Sequence, residues 1–377
     1  VKVLITGGAG FIGSRLAKRL ARDGASVTVL DNLSPQIHGP SAGFAADLAA
    51  VATCILGDVR DPAVLAPAIA GQEAIVHLAA ETGTGQSMYA VRHYEEVNLG
   101  GTALLLDLIV NSRPPELKKL VVASSRAIYG EGRYVCAAHG DVYPPARTGE
   151  AMGAGRFEPV CPRCGADVQV AATREDAPFA PASFYGLTKQ VQEQMVLMFG
   201  QVLGLDAFAL RYQNVYGPGQ SLSNPYTGIL AVFTQLARLG KPINIFEDGA
   251  ESRDFVYIDD VVEATAACVA PTARGVQALN VGSGVRTSVQ EVADAIVRYF
   301  NSAGPVGVTG DFRLGDIRHN FADVTALKAA TGFTPTWSFA DGLAQFLAWA
   351  GEHEAADSGY QASLAELKSR GLMGGAR

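Results

Sequence analysis

A chain of 377 residues, 48% of them apolar, can bury a large core and reads as a globular, enzyme-sized unit. Its 30 basic against 37 acidic side chains leave a net charge of -7, which excludes the basic footprint of a protein that binds DNA, RNA or an anionic membrane. No run approaches the roughly 18 apolar residues of a membrane span and no basic segment leads into an apolar export signal, so the chain is read as cytoplasmic.

The first element is a short strand, "VKVLI", followed by "TGGAGFIG" and a helix in which Ile12, Leu16 and Leu20 recur every fourth residue up to a capping Gly24. A glycine turn between strand and helix has a mechanism. Gly7 permits the tight turn, Gly10 lets a pyrophosphate approach the backbone, and Gly13 lets helix and strand pack closely, with the anion at the helix N-terminus. The second strand, "SVTVL", runs into Asp31, whose carboxylate can take both hydroxyls of an adenosine ribose and would repel a 2′-phosphate; NAD is favoured over NADP. After the third strand, "CILG", Asp58 is placed to reach the adenine amino group. Further strands at "AIVHLA", "LVVASS" and "AFALRY" alternate with helical stretches. That order predicts an α/β fold, a doubly wound parallel Rossmann sheet.

Five cysteines on such a chain do not suggest a disulfide framework. Cys54 in a strand and Cys268 in "EATAACVA" read as core. Cys136, His139, Cys161 and Cys164 differ: Cys-x2-His, 21 residues, then Cys-x2-Cys is the spacing of a closed tetrahedral zinc site. Four protein ligands leave no open position, so the zinc would be structural, folding an inserted loop at 131–175. Unliganded thiols or a redox pair are the alternatives.

Ser125 ends the "LVVASS" strand, where its hydroxyl can hold a reacting oxygen. In "SFYGLTK", Tyr185 and Lys189 stand four apart on one helix face. A nearby ammonium and an oxidised nicotinamide would both favour the phenolate, making a tuned acid/base. From 213 the pattern loosens into a smaller C-terminal lobe to 350, with helices around 288–302 and 339–350. The tail, 351–377, carries Leu364, Leu367 and Leu372 near helical spacing before a glycine-rich end expected to fray. The first unit is then a NAD-binding domain over 1–212.

The turn, Asp31, "HLAAETGTGQS", "VNLGGT", the Ser-Tyr-Lys set, "LRYQNVYGPGQ", "SRDFVYIDDVV", "LNVGSG" and "RLGDIRHNFAD" together resemble the extended short-chain dehydrogenase/reductase family, specifically its nucleotide-sugar epimerases and dehydratases. The resemblance implies catalysis by Ser125, Tyr185 and Lys189. It lays Phe11, Ile12, Asn32, Val59, Leu78, Ala79 and Ala80 along the cofactor beside the glycines and aspartates already named. It gives Thr84, Ser125, Asn214, Arg253 and Arg313 to a nucleotide-diphosphate sugar, and the C-terminal lobe to substrate binding. Relatives that eliminate water carry an Asp-Glu pair after the serine; Arg126-Ala127 here points instead to 4-epimerisation through transient oxidation at C4.

The cysteine loop, "DNLSPQIHG" and "SNPYTGIL" are similar to the branch that interconverts dTDP-L-rhamnose and dTDP-6-deoxy-L-talose for surface polysaccharides such as O-antigen. The loop is expected to form one wall of the sugar pocket, and "EEVNLGGTALLLDLIV" with "YGLTKQVQEQMVLM" to pair two copies as a homodimer. A UDP-hexose 4-epimerase, a 4-ketosugar reductase or dehydrogenase with net redox change, and an NAD-binding zinc scaffold are the competing readings.

Overall fold

The structure is a computed structural model that describes residues 1–40, 43–224, 226, 228–357 and 359–375. Pro225 and Thr227 of "SNPYTGIL", and the last two residues of the tail, therefore lie outside the described residues.

Seven strands form one sheet: β1 (Lys2–Thr6), β2 (Ser26–Asp31), β3 (Ala52–Leu56), β4 (Ala74–His77), β5 (Lys119–Ser125), β6 (Asp206–Tyr212) and β7 (Val276–Val281). Their order is β7-β6-β5-β4-β1-β2-β3 and every neighbouring pair is parallel. Both faces are covered, as strand alternation shows. Val3 and Ile5 pack with Leu16, Leu20 and Val29 on one face, and Leu4 packs with Leu65, Ile75 and Leu105 on the other. The chain reverses its direction of sheet growth between β1 and β4, which opens a crevice at the carboxyl ends of those strands.

Two expectations need correction. The sheet does not close at residue 212, because β7 comes from the stretch assigned to the C-terminal lobe. A parallel strand can be added only through a crossover. Helix Ile258–Val269 lies within that connection and packs on helix Phe11–Arg22, where Arg19 donates to both carboxylate oxygens of Glu263. Nor does the glycine-rich end fray over its described part. After helix Tyr360–Ser369, Met373–Gly375 pairs antiparallel with Asp311–Arg313, and Gly374 lies so close to the Phe312 ring that a Cβ there would sit 2.5 Å from it.

The inserted loop folds as three short antiparallel strands, Tyr134–Cys136, Gly140–Val142 and Gln169–Val170, with helix Gly149–Gly153 capped by the Thr148 hydroxyl. Ion pairs, one of them buried, clamp it to the C-terminal part of the chain. Arg147 bridges Glu131 and Glu247, while Arg318, 1% exposed, bridges Glu158, Glu247 and Asp248.

Candidate active site

The glycine turn is dictated by lack of space. Gly7 has φ +67°, and a Cβ on it would meet the Ala79 amide at 2.7 Å; a Cβ on Gly13 would meet the Gly7 carbonyl at 2.4 Å. Neither neighbour is a flexible side chain. Gly13→Ala is therefore expected to open the turn, costing about 1–3 kcal/mol of stability and most of the NAD affinity, as read by thermal unfolding and cofactor titration.

Asp31, 7% exposed, is fixed by the amides of Ala9 and Leu33 at 3.0 and 2.9 Å, one on each carboxylate oxygen. Each oxygen keeps a lone pair for a ribose hydroxyl. His38 Nε2 stands 3.6 Å from the same carboxylate. Asp58 is differently placed. Its oxygens already accept from Arg60 Nε, Arg60 Nη2, the Arg60 amide and Asn32 Nδ2, and the Arg60 guanidinium holds its pKa well below the usual carboxylate range. An adenine amino group would have to displace one of these donors.

One cavity of about 660 Å³ runs from this turn past Leu78, Ala79, Ala80 and Thr84 to Ser125, Tyr185 and Lys189, and on to Asn214, Arg253 and Arg313. Gly7, Gly10, Phe11, Ile12, Gly13, Asn32 and Val59 also border it. None of its bordering residues comes from 131–175, so the expectation that the cysteine loop walls the sugar pocket is corrected. The loop instead braces, from behind, the segment that supplies Arg313 and Asp316: Arg147 donates to the Asp316 carbonyl at 3.0 Å, and the Glu131 carboxylate accepts the Arg318 amide at 2.8 Å.

Ser125 closes β5 with extended backbone, its Oγ accepting the Ala127 amide at 3.1 Å. Tyr185 enters with helix Phe184–Leu203, capped by Ser183, and its amide donates to Ser87 Oγ at 2.9 Å. Burial raises the phenol pKa, while the Ser125 hydroxyl and then the Arg126 guanidinium pull it down. Lys189 is less close than expected. Its Nζ lies 5.9 Å from the Tyr185 ring centre and donates to the Ala123 carbonyl at 3.0 Å, and burial depresses its pKa to about 7. Arg126, which sequence reasoning noted only as a missing acid, is a second cation acting on the phenol.

Behind these groups, His77 is held neutral between Thr6 and Thr102, its pKa pushed by burial to about 3. The backbone widens to i→i+5 bonding over Glu95–Gly100, which turns Asn98 inward to Glu81 and Thr188. At the far end, buried Gln213 and Glu251 and half-buried Arg313 each border the cavity with buried polar atoms that have no partner among the described residues, which marks the wall as built for a polar ligand. Burial raises the Glu251 carboxyl to about 7.

The cysteine loop brings Cys136 Sγ, His139 Nδ1, Cys161 Sγ and Cys164 Sγ within 4.8 Å of one another. Zn–S bonds of about 2.3 Å and Zn–N bonds of about 2.1 Å in a tetrahedron require edges of about 3.8 Å between sulfurs and about 3.6 Å from sulfur to nitrogen. The Cys136–Cys164 separation is 3.8 Å, and His139 Nδ1 lies 3.6 and 3.5 Å from Cys136 and Cys161. The donor set and these edges fit a closed four-coordinate ion.

The sequence model of the NAD dependent epimerase/dehydratase family matches residues 3–151 and 161–282. The chain belongs to this family. This epimerase-family enzyme, an isomerase, is 38% identical over 351 residues to a dTDP-L-rhamnose 4-epimerase of Burkholderia thailandensis, covering 92% of this chain and 94% of the relative. It is 32% identical to a UDP-glucose 4-epimerase of Mycolicibacterium smegmatis, over 92% and 97% of the two chains. Among solved structures it resembles UDP-glucose 4-epimerase with UDP-glucose from Thermotoga maritima (TM-score 0.74, 26% identity, 93% and 99% covered). It also resembles the Thermus thermophilus enzyme in complex with NAD (TM-score 0.71, 27% identity, 93% and 98% covered). Among the described residues no helix is long and apolar enough to cross a membrane.

Proposed function

We propose that this enzyme is an NAD-dependent nucleotide-sugar 4-epimerase whose substrate pair is dTDP-L-rhamnose and dTDP-6-deoxy-L-talose. One observation carries the reaction class: a single cavity joins the glycine turn and Asp31 to Ser125, Tyr185 and Lys189, and these to a wall of unpartnered polar groups. The sugar rests on the likeness to the Burkholderia enzyme.

In this reading Gly7, Gly10 and Gly13 seat the pyrophosphate of NAD and Asp31 takes its adenosine ribose. NAD held there would supply the hydride chemistry, removal from C4 and return to it. Tyr185 takes the proton from the C4 hydroxyl and gives it back to the same oxygen when the ketone, turned in the pocket, is reduced on its other face, while Ser125 holds the reacting oxygen. Lys189, its pKa lowered by burial, keeps its Nζ on the Ala123 carbonyl beside the Tyr185 ring. Asn214, Arg253 and Arg313 anchor the nucleotide diphosphate so that the ring can turn at C4 without leaving. A structural zinc on Cys136, His139, Cys161 and Cys164 fixes the braced loop, and exposed Leu187, Met198 and Val202 on the Tyr185 helix offer the homodimer contact.

The test is incubation of the purified protein, without added reductant, with a panel of nucleotide sugars, following the C4 proton by NMR. Turnover of dTDP-L-rhamnose ahead of UDP-glucose supports the reading. Preference for UDP-glucose reassigns the sugar, and no turnover without reductant overturns epimerisation.

A further inference from the structure

Three guanidinium groups border the substrate half of the cavity, and they are not equivalent. Arg253, 7% exposed, uses all four terminal N–H groups on protein: the carbonyls of Ser252, Arg318 and Ile317 and the Asp316 carboxylate, leaving only Nε. Arg313 donates one terminal nitrogen to the Tyr360 hydroxyl and stacks over Phe246. Arg126 is oriented by a single bond, from Nε to Asn214 Oδ1 at 2.7 Å. Neither of its terminal nitrogens has a hydrogen-bond partner among the described residues.

The turn that carries Arg126 is rigidly set against the Tyr185 helix. Gly186 lies so close to the Ala127 carbonyl that a Cβ would stand 2.5 Å from it, and the Ala180 amide donates to the Ile128 carbonyl at 2.9 Å. Arg126 directly follows Ser125 and lines one cavity with Tyr185, Arg253, Arg313 and Asp316, and its charge interacts with the phenol. A planar fork with two open donor ends, in a cleft whose other central arginine is engaged by carbonyls and a carboxylate, suits a phosphate.

We propose that Arg126 is a further catalytic residue, one that grips the phosphate next to the sugar and whose charge supports the Tyr185 phenolate. The proposal rests on reading the cleft as a nucleotide-sugar site. Asn214 then has a second part, orienting Arg126 through its Oδ1. A neutral wall here would leave the sugar-proximal phosphate to Arg313 and the Arg253 Nε alone.

The experiment compares wild type, Arg126→Gln, Arg126→Ala and Arg126→Lys, each loaded with NAD and checked for native near-ultraviolet circular dichroism. Titration with dTDP and dTMP, and with UDP and UMP, reads binding without turnover. Loss of the charge should weaken the diphosphates about 10- to 100-fold and the monophosphates less than about 3-fold. The ionisation of Tyr185, taken as the wild-type minus Tyr185→Phe difference in phenolate absorbance, should move to higher pH in the Gln and Ala variants and return towards the wild-type position in Lys. Equal weakening of mono- and diphosphates, or an unmoved phenol titration in a folded Gln variant, would overturn it. If the protein binds none of the four nucleotides, the reading of the cleft fails first, and Arg126 with it.

Discussion

Replacing Tyr185 by phenylalanine is expected to lower kcat by about 100- to 10,000-fold while NAD and nucleoside diphosphate binding stay within about 3-fold. The change deletes one oxygen and leaves the ring, so its packing in the cavity wall persists. What is lost is the group that moves the C4 proton, which corresponds to roughly 3–5 kcal/mol of barrier. No neighbour can substitute for it. Ser125 is an alcohol without a base of its own, and the Lys189 Nζ is tied to the Ala123 carbonyl. Steady-state kinetics with parallel ligand titrations decide the matter. A folded variant with near-native kcat would remove Tyr185 from the chemistry.

The double change Cys161→Ser with Cys164→Ser should abolish one bound zinc per chain and lower the thermal midpoint by well over 10 °C. Structural zinc in small domains is worth about 10–16 kcal/mol in isolation, and the loop's own core around the cysteines is small. Its core is Tyr134, Cys136, Val142 and Cys161, half of which are proposed ligands. Burial would raise the Cys161 thiol pKa, yet the amides of Arg163 and Cys164 and the neighbouring thiols lower it. If the loop loosens, Glu247 loses its buried partner Arg147, at a cost of about 3–5 kcal/mol, and Arg318 loses the exposed Glu158. The segment bearing Arg313 and Asp316 loses its brace with them, so KM for the nucleotide sugar should rise while NAD affinity holds. Metal analysis by mass spectrometry, calorimetry and kinetics together test this. Stoichiometric metal loss with unchanged thermal stability would contradict a structural role.

Local pattern made much of this legible. The glycine turn follows a strand and opens a helix, Asp31 ends the next strand, and Tyr185 and Lys189 share a helix face by their spacing alone. Six strands of the sheet were visible as apolar runs. The seventh, "VQALNV", was hidden because its buried Asn280 reads as loop; in the fold that side chain is satisfied by the Tyr129 hydroxyl and the carbonyls of Thr173 and Asp323, all distant in sequence. Spacing gathered the four metal-type ligands, yet could not say where their loop would dock, since that depends on Glu247 and Arg318 far along the chain. Arg126 was passed over for a related reason. A charge beside the serine signals only the absence of an acid until Asn214 and Tyr185 are brought alongside it.

The most direct test of hydride removal and return at C4 uses dTDP-L-rhamnose carrying deuterium at C4, incubated with enzyme in ordinary water without added reductant. The account predicts a C4 epimer that keeps its deuterium at that carbon by NMR and mass spectrometry. An epimer that has lost the label to solvent would contradict it.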